Sequence, residues 1–369
     1  MRPTFLEVNL PQLRKNVEAI CAHVLPARVM VMVKADAYGH GVDGVAPFIE
    51  PYVDYFGVAL PEEAIHLREL GITKPILVAG GTLPEQVRLF AEYDLTLTGS
   101  SLELLDTAED MAGLTGKRIK THLKIDTGME RVGVREYEAE ALIDKSTACS
   151  HLDIEGIYTH LANSELRDKR YSFLQLERFR EVLSIYEKRN MPVPLLRHVS
   201  NSGGILNLPE AHFDMVRPGI LFYGVYPGDE VDRVVDVRPA LTWRSRVAYS
   251  KIARPGRPVS YGSLWQAEAE TRIVTIPCGY ADGYFRRMTN QAQVILNGRK
   301  YPQVGRICMD QFMVNVGNDE AQVGDEVVLL GEADNERITA EDLAAWMGTN
   351  EYEMLTNISA RVPRVYLTD

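Results

Sequence analysis

Between residues 29 and 222 short apolar runs alternate with amphipathic stretches, and this alternation constrains the fold more than any other feature of the chain. The runs fall at 29–34 (VMVMVK), 53–59 (VDYFGVA), 76–79 (ILVA), 94–98 (DLTLT), 119–126 (IKTHLKID), 154–160 (IEGIYTH), 195–200 (LLRHVS) and 213–222 (FDMVRPGILF). Several are apolar at consecutive positions, as parallel strands buried on both faces must be. Helical signals lie between them. One covers 61–70, with Pro61 at the first helical position and Gly71 as its stop. A second covers 101–112, opened by Ser100 and Glu103 at capping-box spacing, and a third covers 170–189. Eight such units without a long irregular insertion predict an α/β fold of the (β/α)8 TIM-barrel kind. A doubly wound open sheet is the alternative.

After residue 232 the pattern changes. Segments 240–253, 270–277, 291–297, 300–304, 307–316 and 325–330 are β-branched and separated by turns such as Asn297-Gly298, which reads as a predominantly antiparallel β domain. A helix opened by Thr339 and Asp342 and closed near Gly348 interrupts it. The division expected is a barrel over 9–232 and a β domain over 233–369, with an alternating amino-terminal strand at 3–8 joining the second. A length of 369 residues suits such a pair, and 46% hydrophobic with 25% charged residues is ordinary for a chain with a full core.

Forty basic against fifty-one acidic residues give a net charge of −11, the opposite of what a nucleic-acid or anionic-membrane binder carries. Cys21, Cys149, Cys278 and Cys308 are too scattered for a metal or redox motif, and no metal site is expected. The first residues meet charge early and contain no apolar signal stretch, and no run reaches transmembrane length. Both features lead us to expect a soluble cytoplasmic protein.

Chemistry in a barrel sits at the carboxyl ends of its strands. The first run ends in Lys34, followed by Tyr38-Gly39-His40-Gly41. A lysine closing six apolar residues either snorkels to the rim or is desolvated into a good nucleophile toward an aldehyde. Strands seven and eight are expected to end in Ser200-Asn201-Ser202-Gly203-Gly204 and in Arg217-Pro218-Gly219-Ile220, glycine-rich loops where barrels build phosphate sites from backbone amides. The three features together suggest pyridoxal 5'-phosphate, which needs an amine, a phosphate cradle and a partner for its ring nitrogen.

Six motifs then carry a resemblance. VMVKADAYGHG, LKIDTGMERVGV, VRPGI, VSYGS, IPCGYADG and GRICMDQF, in this order from one end of the chain to the other, resemble the alanine racemase family. The resemblance implies a pyridoxal-phosphate isomerase with a (β/α)8 barrel and a β domain. It further implies a head-to-tail homodimer with shared active sites and a role in supplying D-alanine for peptidoglycan.

By resemblance Lys34 carries the cofactor and is the base for D-alanine, while Tyr261 of the partner chain is the base for L-alanine. Two bases on opposite faces are what racemisation requires. His160 and Arg217 resemble the groups that make a phenolate accessible, and Arg217 also faces the pyridine nitrogen. A guanidinium cannot hand that ring a proton, which suppresses transamination. Tyr38, Ser202, Gly219 and Ile220 resemble phosphate ligands. Arg131 resembles the arginine that holds the substrate carboxylate, with Met309 of the partner offering its backbone amide. Lys124 matches a lysine carbamylated in many members, and Tyr280 an entrance residue; Asp310 follows Met309 in the same motif. Read without their motifs, Tyr261 is an interface or core tyrosine, Met309 packs a core, Arg217 makes a salt bridge and Lys124 is a surface ammonium.

The carboxyl-terminal run departs from the family. Where many members have Ser-Tyr-Arg-Val-Pro-Arg, this chain has Ser359-Ala360-Arg361-Val362-Pro363-Arg364. The lost hydroxyl removes one phosphate contact and implies weaker cofactor retention and better tolerance of serine. Two other functions compete: a pyridoxal-phosphate carrier, which lacks the second domain, and a barrel-type amino-acid decarboxylase, superficially suggested by Cys308 and Asp310. The intact VSYGS, IPCGYADG and GRICMDQF runs favour the racemase.

Overall fold

A computed structural model describes residues 2–369. Two compact units result, one of Leu13–Ala37 and Val42–Arg238, the other of residues up to Gln12, Tyr38–Gly41 and Pro239–Asp369.

The first unit is built on eight parallel strands. In spatial order they are Ile76–Val78, Tyr55–Val58, Arg28–Met32, Met215–Val216, Leu196–His198, Leu152–Tyr158, Ile119–Asp126 and Leu97–Gly99. A parallel bridge between Leu77 and Thr96 joins the two ends, with Thr96 N donating to Ile76 O at 2.8 Å and Val78 N to Thr96 O at 3.1 Å. Closure excludes the open sheet, and the expected barrel is what the chain forms. All eight expected strands are present, several shorter than their apolar runs. Run 213–222 yields only Met215–Val216, because Pro218 cannot donate to a ladder and residues 219–225 fold into tight turns.

The helices Pro61–Glu69, Leu102–Thr115 and Arg170–Lys188 match their signals. One cap is corrected: Ser101, not Ser100, receives Leu104 N at 3.1 Å, and no Glu103 capping box forms. Helix Leu10–Val24 starts the series of amphipathic helices. Among the described residues no helix is long and apolar enough to cross a membrane.

The second unit is a largely antiparallel sheet. Its order is Tyr249–Ala253, Thr271–Ile276, Phe312–Gly317, Arg299–Val304, Gln293–Leu296, Glu326–Ala333, Leu241–Arg246, Phe5–Asn9 and Arg364–Leu367. Run 240–253 is therefore two strands rather than one, and Arg364–Leu367, which pairs parallel to Phe5–Asn9, gave no clear alternation signal. Trp243, Tyr284 and Phe312 form its buried aromatic centre, with Tyr284 stacked on Phe312 at 4.4 Å. Helix Ala340–Met347 opens with the expected Thr339/Asp342 capping box and closes at Gly348, φ +72°.

Candidate active site

Lys34 stands two residues beyond its strand, which ends at Met32, and opens a left-handed turn. Ala35, Asp36, Ala37 and Tyr38 all have φ between +51° and +54°. Each such residue costs about 1–2 kcal/mol relative to the right-handed form, so other contacts must hold the turn. Ala35 N donates to Glu63 Oε1 at 2.6 Å, Ala37 N to Val33 O at 3.0 Å and Val42 N to Asp36 Oδ1 at 2.7 Å. Burial, and then the Arg131 charge, lower the Lys34 ammonium from its ordinary value, with Glu63 acting the other way.

A second carboxylate shapes the loop that carries Arg131. Asp126 Oδ1 accepts from Gly128 N and Met129 N, both at 2.8 Å, and Oδ2 accepts from Arg131 N at 3.0 Å. Those amides hold its pKa low against the opposing effect of burial. Glu63 and Asp126 thus both serve backbone amides, Glu63 taking Ala59 N and Leu60 N as well as Ala35 N.

Deeper in the barrel lies Lys124, buried, with its Nζ 4.3 Å from the centre of the Tyr158 ring. Burial first, then Arg217 and Arg131, push its pKa well down, Asp126 opposing. Lys124 is therefore no surface ammonium. Arg217 is also buried; its Nη1 donates to His198 Nδ1 at 2.8 Å. Its Nη2 donates to Thr159 O at 2.8 Å and Val199 O at 2.9 Å, with His160 Nδ1 at 3.3 Å. Burial brings its pKa down to about 10, so it remains charged at neutral pH. Burial, followed by Arg217, Lys124, Arg131 and Lys34, drives the His160 pKa well down.

Ser202 begins helix Ser202–Asn207, capped by Asn201 Oδ1 receiving Gly204 N at 3.0 Å. Its Oγ accepts from Gly219 N at 3.0 Å and Leu221 N at 3.3 Å, which joins the two glycine-rich loops. Gly203 is required here: a Cβ would lie 2.7 Å from Ser164 Oγ and 2.8 Å from Glu165 N. Ile220 is fully buried beside them.

The remaining candidates belong to the β unit. Tyr261 is 72% exposed, in a turn flanked by Ser260 at φ +66° and Gly262 at φ +73°. Ser260 Oγ ties this turn to Arg306 O at 2.6 Å. Tyr280 N and Ala281 N donate to Cys308 O and Met309 O, each at 3.0 Å, and Gly279 permits this approach, since a Cβ there would sit 2.4 Å from both carbonyls. Asp310 pairs with Arg361 Nη2 at 2.7 Å. Tyr261, Tyr280, Met309 and Asp310 together line an open cavity of about 880 Å³. The exposure of Tyr261 and Met309 is incompatible with packing in this chain's own core. Tyr38 is buried, its ring 6.2 Å from that of Tyr352.

Reasoning from sequence missed Glu63, His122, His198 and Glu155. His122, Lys124 and Asp126 alternate along one strand, and that spacing was the available signal for an inward-facing polar row.

A closed barrel with a cation-rich set of strand-end residues, in one chain with an antiparallel β unit that exposes a tyrosine beside a cavity, defines a class of two-domain barrel enzymes. The chain matches the model of the alanine racemase N-terminal domain over residues 8–227 and that of the C-terminal domain over 240–366, and it belongs to the alanine racemase family, which are isomerases. Alanine racemase of Carboxydothermus hydrogenoformans is 44% identical, covering 100% of each chain. The structure of alanine racemase from D-cycloserine producing Streptomyces lavendulae superposes with a TM-score of 0.95 at 36% identity, covering 100% of this chain and 98% of that one. Alanine racemase from Bartonella henselae with covalently bound pyridoxal phosphate gives a TM-score of 0.90 at 28% identity, covering 100% of both.

Proposed function

We propose that this chain interconverts L-alanine and D-alanine with pyridoxal 5'-phosphate attached to Lys34, as a cytoplasmic head-to-tail homodimer that supplies D-alanine for peptidoglycan. The observation that carries the reading is the charge of the barrel site. Beyond burial, the Arg131 charge lowers the pKa of Lys34, Lys124 and Arg217, Arg217 lowers that of Lys124, and Glu63 and Asp126 are committed to backbone amides. Such a site favours an anion, and a phosphate with a substrate carboxylate supplies that charge. The cofactor fits this donor set: an amine of lowered basicity for its aldehyde, Ser202 with the Gly219 and Ile220 backbone and Tyr38 for its phosphate, and Arg217 for its ring nitrogen.

When bound, pyridoxal phosphate supplies the electron sink that acidifies the Cα–H of the amino acid. Lys34 Nζ takes or returns that proton on one face. The Tyr261 hydroxyl acts on the other face and comes from the partner, consistent with its exposure in its own chain. His160 and Arg217 orient and ease ionisation of that hydroxyl, a phenol being otherwise a poor base at neutral pH. Arg131 holds the substrate carboxylate, joined by the backbone amide of Met309 from the partner. Tyr280 and Asp310 border the approach. Carbamylated Lys124 would carry a negative charge against Arg131, and its uncharged amine is the form that reacts with carbon dioxide.

The same reading gives 9–232 to the cofactor-holding barrel and 233–369, with the amino-terminal strand 3–8, to the β domain; sheet membership supports the division except at Asn9, which lies in the strand Phe5–Asn9 of the β sheet. The free state of all four cysteines agrees with a reducing compartment. Mixing the Lys34→Ala and Tyr261→Ala variants after subunit exchange tests the shared site. Each variant alone is inactive, and a mixed dimer regains one intact site. No recovery in demonstrated heterodimers rejects it. Assays for carbon dioxide beside D-alanine separate the decarboxylase reading, and the absence of both products favours the carrier.

A further inference from the structure

A row of polar side chains crosses the barrel interior, where branched apolar residues usually pack. Arg217 Nη1 meets His198 Nδ1 at 2.8 Å, His198 Nε2 meets His122 Nδ1 at 2.9 Å, and His122 Nε2 meets Glu155 Oε1 at 3.3 Å. Glu155 Oε1 also accepts from Tyr55 OH at 2.5 Å, whose oxygen lies 2.7 Å from Thr96 Oγ1. Both imidazoles are fully buried.

Only one proton arrangement satisfies this row with neutral rings. A guanidinium can only donate, so His198 Nδ1 is bare and its proton sits on Nε2. That proton is donated to His122 Nδ1, which places the His122 proton on Nε2, pointing at Glu155. A carboxylate can only accept, so it agrees with the same order from the other end. Burial lowers the pKa of both rings and so favours their neutral forms; Arg217 adds to this on each, while Glu155 acts the other way on His122.

The backbone supplies the reason that an acid stands there. Along Leu152–Tyr158 the pairing with Ile119–Asp126 runs Ile154 to Thr121 and then Gly156 to His122, leaving Glu155 as an extra residue. A bulge of this kind re-aims a side chain. Gly156 then clears the space for the imidazole, since a Cβ there would lie 2.6 Å from His122 Cγ. Tyr158, two residues on, stacks on His198 with centroids 4.5 Å apart and 5° between planes.

We infer that Glu155 is a positioning residue for Arg217: through His122 and His198 it fixes the imidazole tautomers that keep the guanidinium anchored where the cofactor ring nitrogen is to lie. The inference rests on the proposed role of Arg217, and its test separates the two. Glu155→Gln keeps size but can donate, which permits the reversed order and leaves His198 Nδ1 protonated in part of the population.

The experiment records imidazole ¹⁵N spectra, racemisation kinetics and cofactor absorbance of the holoenzyme for the wild type, Glu155→Gln and Glu155→Asp. The wild type is expected to show single Nε2-protonated tautomers at His122 and His198. Glu155→Gln should show mixed tautomers, a shifted cofactor absorbance, and kcat reduced about tenfold with little change in KM. Glu155→Asp, which can still only accept, should retain the wild-type tautomers. Other tautomers in the wild type, or wild-type tautomers in Glu155→Gln, overturn the relay. Mixed tautomers with unchanged kcat and absorbance overturn its positioning role. Arg217→Gln with full activity would instead reject the reading of Arg217 while leaving the tautomer result to stand.

Discussion

Arg217 Nη1 donates to His198 Nδ1 at 2.8 Å, and with Nη2 bound to the Thr159 and Val199 carbonyls the guanidinium plane is fixed from two sides. An arginine held this way cannot swing toward a carboxylate as a surface arginine does. Its side chain is instead a rigid cation set among the strand ends, which is what a partner for a ring nitrogen has to be. Among the described residues no acidic side chain pairs with it, so the sequence reading of an ordinary salt bridge fails.

Replacing the fork by a point charge tests that rigidity. Arg217→Lys keeps the positive charge but loses the parallel bonds to two carbonyls and His198. We expect kcat to fall by tenfold or more, with thermal stability lowered by about 1–3 kcal/mol because buried acceptors lose their donors. Racemisation kinetics together with urea unfolding check this. Wild-type transamination that rivals racemisation in rate would count against the arginine assignment.

Lys34→Ala should abolish the visible absorbance of lysine-bound pyridoxal phosphate together with racemisation. Its urea midpoint without cofactor should stay close to that of the wild type. The turn that follows Lys34 is held by Glu63, Asp36 and Val33 backbone contacts, none of which uses the lysine side chain. A stable variant that still binds the cofactor covalently rejects Lys34 as the attachment point.

Acid should destabilise the chain before its carboxylates titrate. The pKa values of His122, His160 and His198 are all lowered from 6.5, burial being the first cause in each. A histidine lowered in the folded state binds fewer protons there than in the unfolded chain. Its contribution is therefore complete above about pH 6.5 and is lost as pH falls below that value. Three such groups give a limiting slope of about 4 kcal/mol per pH unit. Urea midpoints measured through that window, with the His122→Gln/His198→Gln double variant showing a shallower decline, check the sign and the source.

How much of this was legible beforehand depends on which period carried it. Several of the eight barrel strands are consecutive apolar runs, so burial on both faces wrote those into the sequence directly. Lys34 was visible because it ends such a run, and Ser202 and Arg217 because they open the glycine-containing segments that follow two strands. Run 213–222 misled because its apolar residues fold into turns around Pro218. Glu155 was invisible for a different reason. In an alternating strand its parity gives no cue, and a bulge that adds one residue is set by pairing with a strand some thirty residues earlier. The left-handed turn after Lys34 was equally hidden, since three of its four residues are Ala or Tyr, which carry no signal for positive φ.

Lys124 offers a case in which stability and activity should separate. Its pKa lies well below 10.5, so the folded chain binds fewer protons than the unfolded one between those values, and stability from this group rises with pH across that window. Lys124→Met removes a buried amine that, among the described residues, has no acidic hydrogen-bond partner. The cofactor-free protein should gain about 1 kcal/mol or more at neutral pH and lose that part of its pH slope. On the proposed carbamylation of Lys124, the KM for alanine should rise in Lys124→Met, because Arg131 loses the carbamate charge that would orient it. Added bicarbonate should stabilise the wild type and leave Lys124→Met unchanged.

Ala360 is where this chain parts from many of its relatives. It lies at the foot of the strand Arg364–Leu367, beside Arg361, which bonds Asp310 at 2.7 Å, and so it belongs to the same unit as Tyr261 and Tyr280. By the resemblance a tyrosine here would give the cofactor phosphate a hydroxyl; a methyl group offers no donor and fills less space than a phenol. Ala360→Tyr should tighten cofactor binding several-fold and lower the ratio of serine to alanine turnover. Equilibrium dialysis of the cofactor and paired racemisation assays on the two amino acids measure both. If neither the dissociation constant nor the ratio moves, the missing hydroxyl is without consequence for retention and for specificity.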